Sequence, residues 1–212
     1  CVCRLCVDYR WRGIALSQQS KESCVMKQKL IIAITGATGT IYGVRLLEVL
    51  KTVPDIETHL IVSDAGWLTI AHELDMSKDA IRGLADVNHA CNNIGASIAS
   101  GSFLCDGMIV APCSMKTLAS IAHGFADNLI SRAADVVLKE RRRLTLMVRE
   151  TPLSTIHLNN MLAVTQAGGV IFPPVPAFYH KPFTIDDIVN QTINRVLDQH
   201  GIHLDLTSRW EN

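Results

Sequence analysis

The chain has 212 residues, enough for one well-buried domain and too few for two comfortable ones. Its 20 basic residues balance 20 acidic ones, so no global field selects nucleic acid or an anionic membrane, and a bound anion must be held by local chemistry. No apolar run approaches the roughly 18 residues of a spanning helix, and the first residues carry polar groups where a secretory signal needs an apolar stretch; the expected location is the cytoplasm.

Residues 1–25 show no hydrophobic periodicity. They hold Cys1, Cys3, Cys6 and Cys24 of the seven cysteines, but no second pair follows at metal-site spacing, so no metal site is expected. Met26 is followed by Lys-Gln-Lys and then a buried-strand pattern. Residues 1–25 are therefore expected to be a non-native or flexible extension, and 26–212 a single α/β domain. Cys91, Cys105 and Cys113 lack paired spacing and read as small buried apolar residues.

From Lys29 onward short apolar runs alternate with amphipathic stretches. The pattern predicts a strand over 30–35 ended by Gly36 and Gly39, then a helix carrying Ile41, Val44, Leu47 and Leu50. A second strand is expected over 58–63 and a helix over 65–75, followed by a looser segment. A third strand over 106–112 has Pro112 as its terminator. Helices follow over 114–122 and 128–141, then a strand over 144–149, a helix over 154–167 and a short strand over 168–172. The last helix starts at Thr184 with Asp187 three residues on, close to a capping box, and ends near Gly201. Strands apolar on both faces and separated by helices point to a mostly parallel open sheet covered on both sides. Such sheets bind ligands at the carboxyl ends of their strands, so the loops after Thr35, Ser63, Pro112, Arg149 and Phe172 are where function is expected.

Four motifs fall at those loops. Thr35-Gly36-Ala37-Thr38-Gly39 is a strand-to-helix turn that suits a phosphate or is simply a tight turn. A dehydrogenase-type TGATGxxG fingerprint for NADP needs its third glycine at position 42. That position is Tyr42, the glycine comes at 43, and no Tyr-x-x-x-Lys pair exists, so an NADP-binding reductase is the weaker alternative. Ser114 in Pro112-Cys113-Ser114-Met115-Lys116-Thr117 caps the next helix, and with Thr117 it offers hydroxyls to a phosphate or a flavin ring oxygen. Arg149-Glu150 stands at the end of an apolar strand, where a charged pair is costly unless used; Arg suits anion binding and Glu proton transfer. The proline-stiffened loop 172–180 presents Phe178 and Tyr179 at the same rim, to line a pocket mouth or to pack on its own domain.

GATG after the first strand, PCSMKT, RAADVVLKERR, RETPL, PPVPAFYH and NRVLDQ occur in an order that resembles the UbiX-like flavin prenyltransferase family, from about Met26 to Trp210. The resemblance implies a three-layer αβα fold, Rossmann-like or flavodoxin-like. It implies an enzyme that joins a dimethylallyl group from dimethylallyl monophosphate to reduced FMN at N5 and C6, without metal, for a UbiD-like decarboxylase acting on aromatic acids. It further implies that Gly36, Ala37, Thr38, Ser63, Ser114, Met115, Lys116, Thr117 and Arg149 hold FMN, and that Lys139, Tyr179 and Arg195 hold the prenyl phosphate. Glu73 and Glu150, with Lys139, become the catalytic candidates, and Trp210 closes over the site from the tail. Thr38 stands where the family more often has Ser, keeping the hydroxyl. A large homo-oligomer, a dodecamer, with flavin near subunit contacts is the implied assembly; a non-catalytic flavoprotein subunit of a decarboxylase is the other alternative.

Overall fold

The computed structural model describes residues 27–207 and residue 209. The expectations placed on residues 1–25 and on Trp210 lie outside the described residues.

Six strands form one sheet in the order β3-β2-β1-β4-β5-β6, and every pairing is parallel. The central strand β1 (Gln28–Ile34) pairs with β2 (Ile56–Val62) on one side and β4 (Gly107–Cys113) on the other. Its side chains alternate between two cores, as the two-residue period of a strand requires. Leu30, Ile32 and Ile34 pack with α1 (Thr40–Leu50) and α7 (Ile185–Asp198). Ile31 and Ala33 pack with α4 (Met115–Ala122) and α5 (Leu129–Lys139). The result is the expected three-layer αβα fold with a parallel open sheet.

The remaining elements are α2 (Asp64–Glu73), α3 (Lys78–Arg82), β3 (Val87–Ala90), β5 (Arg143–Val148), α6 (Thr155–Gln166) and β6 (Val170–Ile171). Thr184 caps α7 by accepting from the Asp187 amide, and Asp187 reaches back to the Thr184 amide, so the anticipated capping box is present.

Three readings need correction. The looser segment after α2 holds α3 and the edge strand β3, which make the sheet six-stranded. β3 is four residues long and only half-buried, too short for a period-2 pattern to stand out. Pro112 does not terminate its strand: β4 runs on to Cys113 through a cis Ala111–Pro112 bond and a register irregularity, the kind of place where a residue without an N–H is tolerated. The last helix ends at Asp198, three residues before Gly201, whose φ of 70° lies in the left-handed region.

Gly43 has a packing role. A Cβ there would lie 2.3 Å from the Ala111 carbonyl oxygen and 2.7 Å from Ile34, so its absence lets α1 approach the β1–β4 pair closely. Among the described residues no helix is long and apolar enough to cross a membrane.

Candidate functional site

The strand order changes direction at β1, and the crevice expected at such a switch point is present. A cleft of about 970 Å³ opens at the carboxyl ends of β1, β2, β3 and β4, a size that suits a cofactor-sized ligand.

Thr35, one residue beyond β1 and next to Gly36 of the cleft wall, ties two strand ends together. Its hydroxyl donates to the Pro112 carbonyl at 2.8 Å and accepts from the Ser114 amide at 2.8 Å, while its own amide donates to the same carbonyl at 3.2 Å. It is 1% exposed, so these bonds are shielded from water and lock the ends of β1 and β4 together. Gly36 follows in the cleft wall. A Cβ on it would lie 2.5 Å from that of Ala65, which explains why the turn after β1 needs glycine here.

Three helix starts converge on this space. Ser63, Ser114 and Asn128, the N-caps of α2, α4 and α5, all line the cleft. Each side chain accepts an amide of its own helix: Ser63 from Gly66, Ser114 from Thr117, and Asn128 from Ile130 and Ser131. The capping side chains therefore fix the helix ends, whose aligned peptide dipoles make the cleft favourable for an anion. Ser114 and Thr117 hydroxyls also bond each other at 3.1 Å, and Lys116 adds a cation to the wall. Met115 is half-buried against the core beneath.

The start of α1 is arranged differently. Its N-cap, Gly39, has no side chain to cap with, and Glu73 does the capping from α2. The Glu73 carboxylate accepts from the Gly39 amide at 3.0 Å, and from the Thr40 amide and hydroxyl at 2.8 Å each. Burial favours its neutral form, but hydrogen bonds from Thr38, Thr40 and Gly39 outweigh that and hold the carboxyl below its ordinary range. The Gly39 and Thr40 amides are thus already engaged, and Gly36 and Thr38 are the exposed positions of the turn.

Arg149 and Glu150 follow β5 at the same end of the sheet, both exposed; the Arg149 amide donates to the Cys113 carbonyl and Glu150 accepts from the Thr151 amide. Lys139 is not brought here. It ends α5 just before β5 begins, which puts it at the opposite, amino end of the sheet, paired with Glu140. Arg195 lies in the last turn of α7, also toward that end, 3.3 Å from Asp198. The Tyr179 hydroxyl accepts from Gln191, one helical turn before Arg195, so those two candidates share neighbouring turns of α7. Within one chain Lys139 and Arg195, two of the residues assigned to the prenyl phosphate, lie apart from those assigned to FMN.

The sequence reading missed Thr35 and the whole far wall of the cleft. That wall comes from α2, α3 and β3: Trp67, Lys78, Arg82, Asn88 and His89. Lys78 and Arg82 sit over the Trp67 ring at 5.6 and 5.4 Å. Ser77, which caps α3 at Ala80, was the available signal. The body cysteines behave as expected. Cys105 and Cys113 are buried and Cys91 half-buried, all are free thiols, and burial pushes each one up.

Comparison with known proteins matches this geometry to a family. The Flavoprotein family model covers residues 18–197. Flavin prenyltransferase UbiX of Escherichia coli K12 is 56% identical over 186 residues, covering 87% of this chain and 98% of the relative. Crystalline AnUbiX (PadA1), solved with FMN and dimethylallyl pyrophosphate, superposes with a TM-score of 0.86 at 52% identity, over 88% of this chain and 98% of that one. A dodecameric FMN-dependent UbiX-like decarboxylase from E. coli O157:H7 gives the same TM-score and identity over 87% of this chain and all of the other. The chain belongs to the flavoprotein family and, within it, to the UbiX flavin prenyltransferases.

Proposed function

We propose that this chain is a flavin prenyltransferase that takes reduced FMN and dimethylallyl monophosphate and joins the five-carbon group to the flavin. The observation that carries the reading is the cleft itself: a flavin-sized space lined by the starts of α2, α4 and α5. The donor set fits FMN, with hydroxyls and helix amides for the phosphate and ribityl chain and the α2–α3–β3 wall for the ring. We assign FMN contacts to the turn 36–38, to Ser63, to 114–117 and to Arg149. Bound reduced FMN supplies the nucleophilic N5 and C6.

The chain's own groups do the rest. Lys139, Tyr179 and Arg195 take the prenyl phosphate, and their positive charge and hydroxyl stabilise the negative charge that grows as it leaves, with no metal required. Glu150, exposed beside Arg149, moves the proton. Glu73, ionised and capping α1, serves to hold the 38–40 turn in shape. The tail reaches Arg195 through Arg209, whose guanidinium binds Asp198 at 2.9 and 3.0 Å, and Trp210 next to it is our candidate for closing the site.

Because Lys139 and the cleft lie at opposite ends of one sheet, we assign completion of the site to neighbouring copies in a large homo-oligomer, a dodecamer. The exposed apolar side chains Ile156, Leu162, Val175, Phe178 and Phe183 support such contacts. The prenylated FMN would pass to a UbiD-like decarboxylase, and the free thiols fit a reducing cytoplasm. The test is phosphate release from dimethylallyl monophosphate, with the pyrophosphate as a second arm. Release that requires reduced FMN is expected. Bound FMN with no release would make the chain a flavin carrier instead.

A further inference from the structure

Along one face of the sheet a carboxylate and two imidazoles form a hydrogen-bonded line that ends in the cleft. The Glu57 Oε1 atom lies 2.8 Å from His59 Nε2, and His59 Nδ1 lies 3.0 Å from His89 Nε2. His59 is 3% exposed, and the His89 ring stacks on it with centroids 5.3 Å apart. His89 is part of the cleft wall, and its Nδ1 has no hydrogen bond among the described residues.

Elementary chemistry orders the protons. A hydrogen bond from His59, with Lys29 at 3.6 Å, holds Glu57 ionised, so this carboxylate only accepts. His59 Nε2 then donates to Glu57, and with a single proton on that ring its Nδ1 is left as the acceptor. His89 Nε2 donates to that atom, leaving Nδ1 of His89 as a lone pair.

We propose that Glu57 and His59 fix the tautomer of His89 so that its Nδ1 is a standing hydrogen-bond acceptor in the cleft, matched to a donor on the flavin, either a ribityl hydroxyl or the ring imide N–H. His89 is then a binding residue, and Glu57 and His59 position it. The inference rests on the FMN reading above. Burial keeps His89 below the ordinary histidine range, so the acceptor persists at neutral pH and is lost as pH falls through that lowered value. The other ionisable groups of the cleft are Asp64, Lys78, Arg82, Cys91, Lys116 and Asp127, and none hydrogen-bonds the His89 ring.

Nitrogen NMR of the flavin-free protein reads the tautomer directly. The His89 Nε2–H form is expected, with Glu57→Gln mixing the two forms because an amide can donate as well as accept. Riboflavin, which has no phosphate to titrate, is then bound at about pH 5 to 8. His89→Phe should weaken it roughly three- to tenfold and flatten the pH dependence, and His89→Asn, which keeps an acceptor, should recover part of the loss. The same loss with lumiflavin assigns the donor to the ring; loss with riboflavin alone assigns it to a ribityl hydroxyl. An Nδ1–H tautomer in the unmodified protein, or unchanged riboflavin affinity in His89→Phe, overturns the proposal. Failure of the unmodified protein to bind any flavin would sink the FMN reading, while the tautomer measurement would still decide the network.

Discussion

The two ends of the sheet use polar groups in opposite ways. At the carboxyl end, Ser63, Ser114 and Asn128 spend their side chains on fixing helix starts around a space. At the amino end the charges satisfy one another. Asp198, its side chain 9% exposed, gathers Arg195, His203 and Arg209 and is held down at about 2, chiefly by Arg209. Lys139 pairs with Glu140, Arg143 donates to the Gln199 carbonyl, and His200 meets Thr145. One end is shaped for a ligand, whereas the other is shaped for closure, yet two cations assigned to the prenyl phosphate sit toward the closed end. On the assignment proposed above, a single chain carries separate parts of the site, which repetition in an oligomer would bring together.

The largest expected effect separates those parts. Lys139→Ala or Arg195→Ala should slow prenyl transfer on the order of a hundredfold while leaving FMN bound. Tyr179→Phe should act in the same direction more mildly. Oligomers mixed from Lys139→Ala and Arg149→Ala subunits should regain transfer, and failure to do so would break the idea of a shared site. Next, Arg149→Ala should weaken FMN by more than tenfold, from the loss of about 1.5–3 kcal/mol of charge-assisted contact. If Arg195→Ala loses FMN and Arg149→Ala keeps it, the assignment of the two ends is reversed.

Thr35→Val keeps the side chain's shape but strips both hydroxyl bonds. Urea unfolding should show a loss of about 1–3 kcal/mol, together with weaker FMN binding. At the amino end, His200 is 6% exposed and pushed down to about 4 by burial and then Arg143. Its folded value lies below the unfolded one, so the unfolded chain takes up the proton first and stability falls as pH drops from about 6.5 toward about 4. Unfolding measured at pH 7 and pH 5 should differ by about 2 kcal/mol from this group, and His200→Gln should remove that part. Smallest of all, removing residues 1–25 should change neither FMN affinity nor assembly; a clear loss of either would show that the N-terminal cysteines matter.

Much of this was legible in the sequence because its signals are local. Apolar runs on both faces announced β1, β2, β4 and β5, and the Ser114 cap and the Thr184–Asp187 box announced two helix starts. The far wall was not legible. Five-residue α3 and four-residue β3 draw their order from packing against β2 and Trp67, and no period survives over so few residues. Thr35 was invisible as a hub for another reason. Its partners Pro112 and Ser114 are nearly eighty residues away, and only the parallel pairing of β1 with β4 brings them together. Resemblance named Lys139 and Arg195; the order of helix 128–141 and strand 144–149 already implied that Lys139 lies at the amino end of the sheet, away from the cleft.

The most direct measurement is mass analysis of the flavin released after the purified protein is incubated with reduced FMN and dimethylallyl monophosphate. The account predicts a flavin heavier by one five-carbon unit, formed also in the presence of excess chelator and without added decarboxylase. Recovery of unmodified FMN from a protein that binds both ligands would contradict it.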